Sequence, residues 1–390
     1  MDRRRFLKIL GQSSASVGAS VFVERVWGFP VASLLKSDSS HLFLWGSGVT
    51  GFSNTSATNV LKPTKRLRFA NWENVVIDKK GMVAIGKTKN SVLLSWGDNS
   101  YYQSGSGVAG GDLSAPVQLI GLASAWNSFS LGSSHSVGIK NDGTLWSWGD
   151  NASGQLGSGS LVPRSTPVQA GPATTWSQVA AGTEVTYLIR TDGTLWSTGY
   201  NSSGALGTSN TINVSTPVQV GTLGTWSKIA AGYNYAVAVK TDGTLWTWGV
   251  GTNGQLGNGT LINKSSPVQV GTLANWNFVS AGMTAAYAIK TDGSLWSWGT
   301  NSSGQLGDGT IVGRSSPVRI GVGTDWIAIA AGDMHVLALR SGGTLWAWGD
   351  NTTGQLGLGD TINRSSPVQV GTHFWSQIIA GGSVSGALRK

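Results

Sequence analysis

Along most of the chain, apolar and polar positions alternate in short runs broken by glycine, and the runs recur. "TLWSW" at 144–148 and "AVAVK" at 236–240 turn successive side chains to opposite sides, the period of a β-strand. "DGTLWSWG" begins at Asp142, and its counterparts begin at Asp192, Asp242, Asp292 and Gly342, each 50 residues further on. The rest of the unit repeats with it: a "GQLG"-type loop, then "SPVQ"-type segments with prolines at 167, 217, 267, 317 and 367. A tryptophan then opens a short apolar run ending in Ala-Gly. Proline lacks a ladder N–H and suits an edge strand or strand start. Asp-Gly between two alternating runs predicts a hairpin with a type I′ turn. Each unit thus predicts four short strands, the pattern of a propeller blade.

Seven Trp-Gly markers run through the chain, at Trp45, Trp96, Trp148, Thr198 (which replaces the tryptophan), Trp248, Trp298 and Trp348, and they bound six complete intervals. "HLFLWG" at 41–46 is the end of a unit without its front. "FWSQIIAGGSVSGALRK" at 374–390 is a front without its end. Joining them predicts an all-β, seven-bladed propeller over residues 34–390, closed by pairing 41–46 with the C-terminal blade.

"GQLG", "PVQVG", "AAG" and "DGTLWSWG" together resemble the regulator of chromosome condensation repeat. The likeness covers roughly 41–390, is most specific from 142 onward, and weakens over 47–115. It implies a rigid seven-bladed disc that binds partners through its loops. The family's eukaryotic namesake promotes nucleotide exchange on a small GTPase and docks on chromatin, and its secreted bacterial members include an inhibitor of β-lactamases. The Gly-Trp-Arg-His-Thr motifs of the plant ultraviolet receptor of this family do not occur here.

Charge narrows the function. The net charge is +9, but residues 1–89 carry 14 Lys/Arg against 5 Asp/Glu, while residues 90–390 carry 13 of each. The repeats are balanced, which argues against nucleic acid as the partner. The chain has no cysteine, which excludes disulfides, thiolate metal sites and a cysteine nucleophile.

The basic start has its own reading. Arg3, Arg4, Phe6 and Leu7 with Lys8 resemble a twin-arginine export motif, followed by a modestly apolar stretch at 9–23 that is too short and polar to span a bilayer. Residues 1–33 are accordingly read as a signal segment, and the mature chain as a periplasmic or secreted bacterial protein without a transmembrane anchor.

Candidate chemistry is sparse. Repeated tryptophans occupy packing positions. The recurring Lys140, Arg190, Lys240, Lys290, Arg340 and Arg389 read as solvated hairpin decoration, partly neutralised by Asp142, Asp192, Asp242 and Asp292. His135 and His335 fall where other units place Val185, Tyr235, Ala285 and Val384, so they read as packing or hydrogen-bonding groups. The pattern gives no catalytic residues, no metal ligands and no cofactor site.

Departures from the repeat carry more information. Lys62, Lys65, Arg66, Arg68, Lys79, Lys80, Lys87 and Lys89 gather in the first blade, and Tyr101 and Tyr102 replace the start of a "GQLG" loop. Exposed tyrosine beside basic residues is an interface composition. The expectation is a monomeric, exported, non-enzymatic binding or scaffold protein that engages a protein partner through one propeller face. The alternatives are a surface lectin or adhesin and, less fittingly, a guanine-nucleotide-exchange regulator.

Overall fold

The computed structural model describes residues 40–47, 59–66, 71–108, 110–119, 126–222 and 224–389. Within one repeat, β11 (Trp176–Ala181), β12 (Val185–Arg190), β13 (Leu195–Gly199) and β14 (Val214–Gln219) form an antiparallel sheet in sequence order. Seven such four-stranded sheets are present among the described residues. The first strands of neighbouring sheets contact one another, so they line the axis, and the proline-bearing fourth strands form the rim.

The closing blade is assembled from both ends of the chain. It runs β27 (Gln377–Gly381), β28 (Val384–Arg389), β1 (His41–Gly46) and β2 (Val60–Arg66) from axis to rim. β1 pairs antiparallel with β28 from His41↔Arg389 to Gly46↔Val384. Closure of the ring by the 41–46 strand, read from the sequence, holds in full.

The hydrophobic core lies between blades rather than within them. Tyr187, Ile189 and Leu195 of one blade, for example, pack against Trp226, Ala236 and Ala238 of the next. Trp148, Trp248, Trp298 and Trp348 are fully buried, and each indole N–H must find an acceptor across the interface. Trp148 donates to the Gln103 carbonyl and Trp298 to that of Gln255, both at 2.9 Å, and Trp248 and Trp348 bond likewise, so these four are bolted to the preceding blade. Thr198 has no indole, and its hydroxyl lies between two acceptors, the Gly154 carbonyl of the preceding blade at 2.9 Å and the Val214 carbonyl of its own blade at 2.8 Å. Trp72 lies on Gly86, where any Cβ would collide with the indole ring.

One local expectation fails. The Asp-Gly hairpins are not type I′, because in Asn141-Asp142-Gly143 only Gly143 has positive φ (77°). Gly143 N–H bonds to the Lys140 carbonyl at 2.9 Å and Lys140 N–H to that of Thr144 at 3.1 Å. That is a three-residue loop, a type I turn followed by a left-handed glycine. Asp142 fits because its carboxylate accepts from the Thr144 N–H (3.0 Å) and hydroxyl (2.6 Å), and these bonds hold it below the usual carboxylate range.

Candidate functional site

Antiparallel strands give the disc two different faces. One carries the Asp-Gly hairpins and the links between blades. The other carries the short turns between first and second strands, near the axis, and the long loops between third and fourth strands, near the rim.

On the hairpin face the repeated cations are not solvated decoration. Lys140 Nζ lies 3.6 Å from the ring centre of Trp146 and 5.7 Å from that of Trp126. Lys240 and Arg190 sit between Trp226 and Trp246 and between Trp176 and Trp196 in the same way. The charge is held between two indole faces, an arrangement worth roughly 0.5–2 kcal/mol per pair. These cations are therefore committed to the fold.

The long-loop face holds the departures from the repeat. In the blade opened by β3 (Trp72–Ile77) and β4 (Val83–Thr88), the turn near the axis is five residues long, Asp78 to Met82. The next five blades use three residues there. The longer turn carries Lys79 over the axis, where its ammonium donates to the Ala281 carbonyl at 3.3 Å, on a blade across the ring. Burial lowers Lys79 to about 8, opposed by the charge of Asp333. Burial likewise raises Asp333, with Lys79 opposing. A small cavity lined by Lys79, Tyr233, Met283 and Asp333 lies at this point.

Asp78 anchors the same turn. Its Oδ1 accepts from the backbone N–H groups of Met82 (2.6 Å) and Val83 (2.9 Å). Burial raises it to about 7, against the pull of those bonds and of Lys80. Lys80 reaches outward, with Nζ 3.0 Å from Ser134 Oγ and 5.3 Å from the ring centre of Tyr101, which is 49% exposed. Tyr102 stands in the place of Gly154 and adopts the same left-handed backbone, φ 64° against 84°.

The sequence-predicted cluster is thus divided. Lys79, Lys80, Tyr101 and Tyr102 lie on the long-loop face, where Lys80 and Tyr101 are in contact while Lys79 reaches across the axis to Ala281. Lys62, Lys65 and Arg66 lie on β2, the rim strand of the closing blade, because the segment after 41–46 completes that blade instead of opening the next. Lys87 pairs with Glu73 at 3.0 Å. Arg68 and the export residues Arg3, Arg4, Phe6 and Leu7 lie outside the described residues.

The histidines brace neighbouring blades. His135 Nε2 lies 3.0 Å from Thr186 Oγ1 and His335 Nε2 lies 2.8 Å from Ser385 Oγ. Both hydroxyls donate onward to carbonyls, of Gln155 and Gln355, so the imidazoles supply the N–H. Tyr235 does the same work by donating to the Ala285 carbonyl at 2.7 Å. Burial pushes His135 down to about 3 and His335 to about 4.

Sequence reasoning overlooked one feature of the long-loop face. Val162, Ile212, Ile262, Val312 and Ile362, each five residues before a blade's proline, are 54–69% exposed. Among the described residues no three His, Cys, Asp or Glu side chains come together in a way that could hold a metal ion.

A family model described as the RCC1-like domain matches residues 116–390. Human E3 ubiquitin-protein ligase HERC2 is 30% identical over 129 residues, which is 33% of this chain and only 3% of that protein. Among solved structures, yeast RCC1 (Prp20) bound to Kap60 is similar with a TM-score of 0.80 at 19% identity, covering 92% of this chain and 90% of that one. Human WBSCR16 gives 0.79 at 19% identity, covering 90% and 99%.

Proposed function

This chain belongs to the RCC1-like domain family, and from that premise we propose that it is an exported bacterial binding protein, without catalysis of its own, that engages a protein partner through the long-loop face. The observation that carries the reading is the Lys80–Tyr101 pair. On a rigid blade where the repeat is broken, this pair presents a half-exposed aromatic ring and a cation together, with Lys80 also donating to Ser134 of the next blade. Tyrosine is enriched at protein interfaces and among their energetic anchors, and the Lys80 cation beside it adds attraction for an acidic partner.

The relatives support a binding role in general terms. Yeast Prp20 is a complex partner of Kap60 and has binding properties toward Gsp1p and histones. The HERC2 match spans a small part of a ligase, so that activity does not transfer with it. Export rests on Arg3, Arg4, Phe6 and Leu7, and places the working site in the periplasm or beyond the cell.

The test is capture of partners from periplasmic and secreted extracts by the wild-type chain and by a Lys80→Glu, Tyr101→Ala variant. Loss of two interface anchors lowers retention of the specific partner by about tenfold or more, with the unfolding midpoint unchanged. Equal retention by the two proteins removes this pair from the interface. A second variant, Lys62→Glu with Lys65→Glu, separates the rim strand from the face.

A further inference from the structure

The apolar positions on the long-loop face form a pattern that the fold does not require. In five consecutive blades the residue five before the proline is Val162, Ile212, Ile262, Val312 or Ile362, always β-branched and aliphatic, and always mostly exposed. Three of them follow a second exposed aliphatic residue: Leu161, Leu261 and Ile311. In the blade before them the aligned positions are Gly110 and Gly111. The series at this position is therefore an arc over five blades, and in the sector holding Lys80 and Tyr101 the exposed aliphatic residue of the loop is Val108, three positions earlier.

These tips are held, not loose. A buried asparagine beneath each of three tips donates to the tip's own carbonyl: Asn151 to Val162, Asn201 to Ile212 and Asn301 to Val312, all at 3.1 Å. The same asparagines accept a backbone N–H from the neighbouring "GQLG" or "GALG" loop. The backbone is thus clamped while the side chain points away from every core cluster. Repetition at one position of equivalent blades puts the tips on one side of the disc at a common level.

We propose that this arc seats the disc on a lipid bilayer, with the five tips entering the boundary between headgroups and acyl chains. Three observations favour a membrane over a protein surface. The tips are separated from one another by polar Ser, Thr, Asn and Gly positions, so they form isolated apolar points spread around an arc and no continuous patch. A fluid, flat apolar phase meets all of them at once, whereas a compact partner reaches two or three. Finally, a basic residue follows two positions later at four of the five, Arg164, Lys264, Arg314 and Arg364, as headgroup phosphates require. Arg314 and Arg364 are shared with Asp308 and Asp360, while Arg164 and Lys264 have no carboxylate partner among the described residues.

The chain contains no cysteine, so a single introduced thiol reports one site without background. The full chain carrying Ile262→Cys or, on the hairpin face, Thr291→Cys is labelled with nitrobenzoxadiazole and mixed with vesicles of equal parts phosphatidylcholine and phosphatidylglycerol. The 262 label brightens by about threefold or more and shifts to the blue on entering an apolar phase, and the 291 label does not. In parallel, a Val162→Ser, Ile212→Ser, Ile262→Ser, Ile362→Ser chain, which retains its own N-terminal segment, co-sediments with the vesicles about tenfold less than wild type or worse. Its unfolding midpoint stays within a degree or so of wild type, because the replaced side chains are exposed. Equal responses at 262 and 291, or equal sedimentation of the two chains, overturn the proposal. So does loss of a captured protein by the serine chain when vesicles bind neither chain, which makes the occupant a protein. Failure of the Lys80–Tyr101 reading leaves these readouts untouched.

Discussion

Acid should loosen this propeller at two identifiable seams. His135 and His335 are buried between blades as neutral donors to Thr186 and Ser385, and burial holds them at about 3 and about 4. In the unfolded chain a histidine titrates near 6.5, so the unfolded state gains protons first as pH falls. The stability they permit is complete above about pH 6.5 and is lost progressively down to their folded values. At about pH 4.5 each forfeits up to roughly 2.7 kcal/mol, from two decades of pH at 1.36 kcal/mol each. The pair together forfeits about 3–5 kcal/mol once some relaxation is allowed for, a sizeable share of a typical domain's stability. With about 2 cal/mol/K of unfolding entropy per residue in a chain of this size, the midpoint drops by about 4–7 °C.

The assay is thermal unfolding of wild type and of a His135→Gln, His335→Gln chain across about pH 4.5 to 7.5. Glutamine keeps a donor for Thr186 and Ser385 but cannot titrate. The difference between the two profiles isolates the histidines from other groups, such as Asp78 and Asp333, whose raised values act in the opposite direction. Parallel profiles for the two chains would refute the seam argument.

Other outcomes follow from the same contacts. Asp78 is raised from 3.8 to about 7, so its ionisation costs stability progressively as pH climbs between those values. Asp78→Asn, which retains an acceptor for Met82 and Val83, should therefore raise the unfolding midpoint at about pH 8 and give little gain at pH 4. Trp45 is buried in the closing seam and donates to the Gln355 carbonyl at 2.9 Å. Trp45→Ala should cost about 3–5 kcal/mol, and removal of residues 41–46 should expose β28 and β2 as free edges and yield aggregates on gel filtration. Lys240→Met keeps the aliphatic stem between Trp226 and Trp246 but removes the cation. It should lower stability by about 0.5–2 kcal/mol, read by denaturant unfolding, and a neutral result would return the ring of cations to surface decoration.

The architecture was legible because the repeat states it five times, and because 41–46 and 374–390 are complementary fragments of one unit. What escaped the sequence is contact across strands and loops. Lys140 and Trp126 are register partners on adjacent strands, but linear spacing alone does not say that the side chains stack. The Asp-Gly signal named a hairpin correctly and its turn wrongly, since loop length, set by where Thr144 closes onto Lys140, decides the type. The basic cluster was divided because β2 belongs to the closing blade, a fact hidden by weak repeat character in that stretch. Lys79 reaches the axis through two extra turn residues whose effect needs three dimensions. The aliphatic tips were in plain view before each proline, yet alternation reads such residues as core.

We propose that the long-loop face, and not the hairpin face, is the working surface. This is tested most directly by placing the photo-crosslinker benzoylphenylalanine at Tyr101 or at Thr291 in cells that export the full chain, then irradiating and resolving adducts by mass. The expected result is a discrete protein adduct from position 101 and none from position 291. A protein adduct from position 291 alone would contradict it.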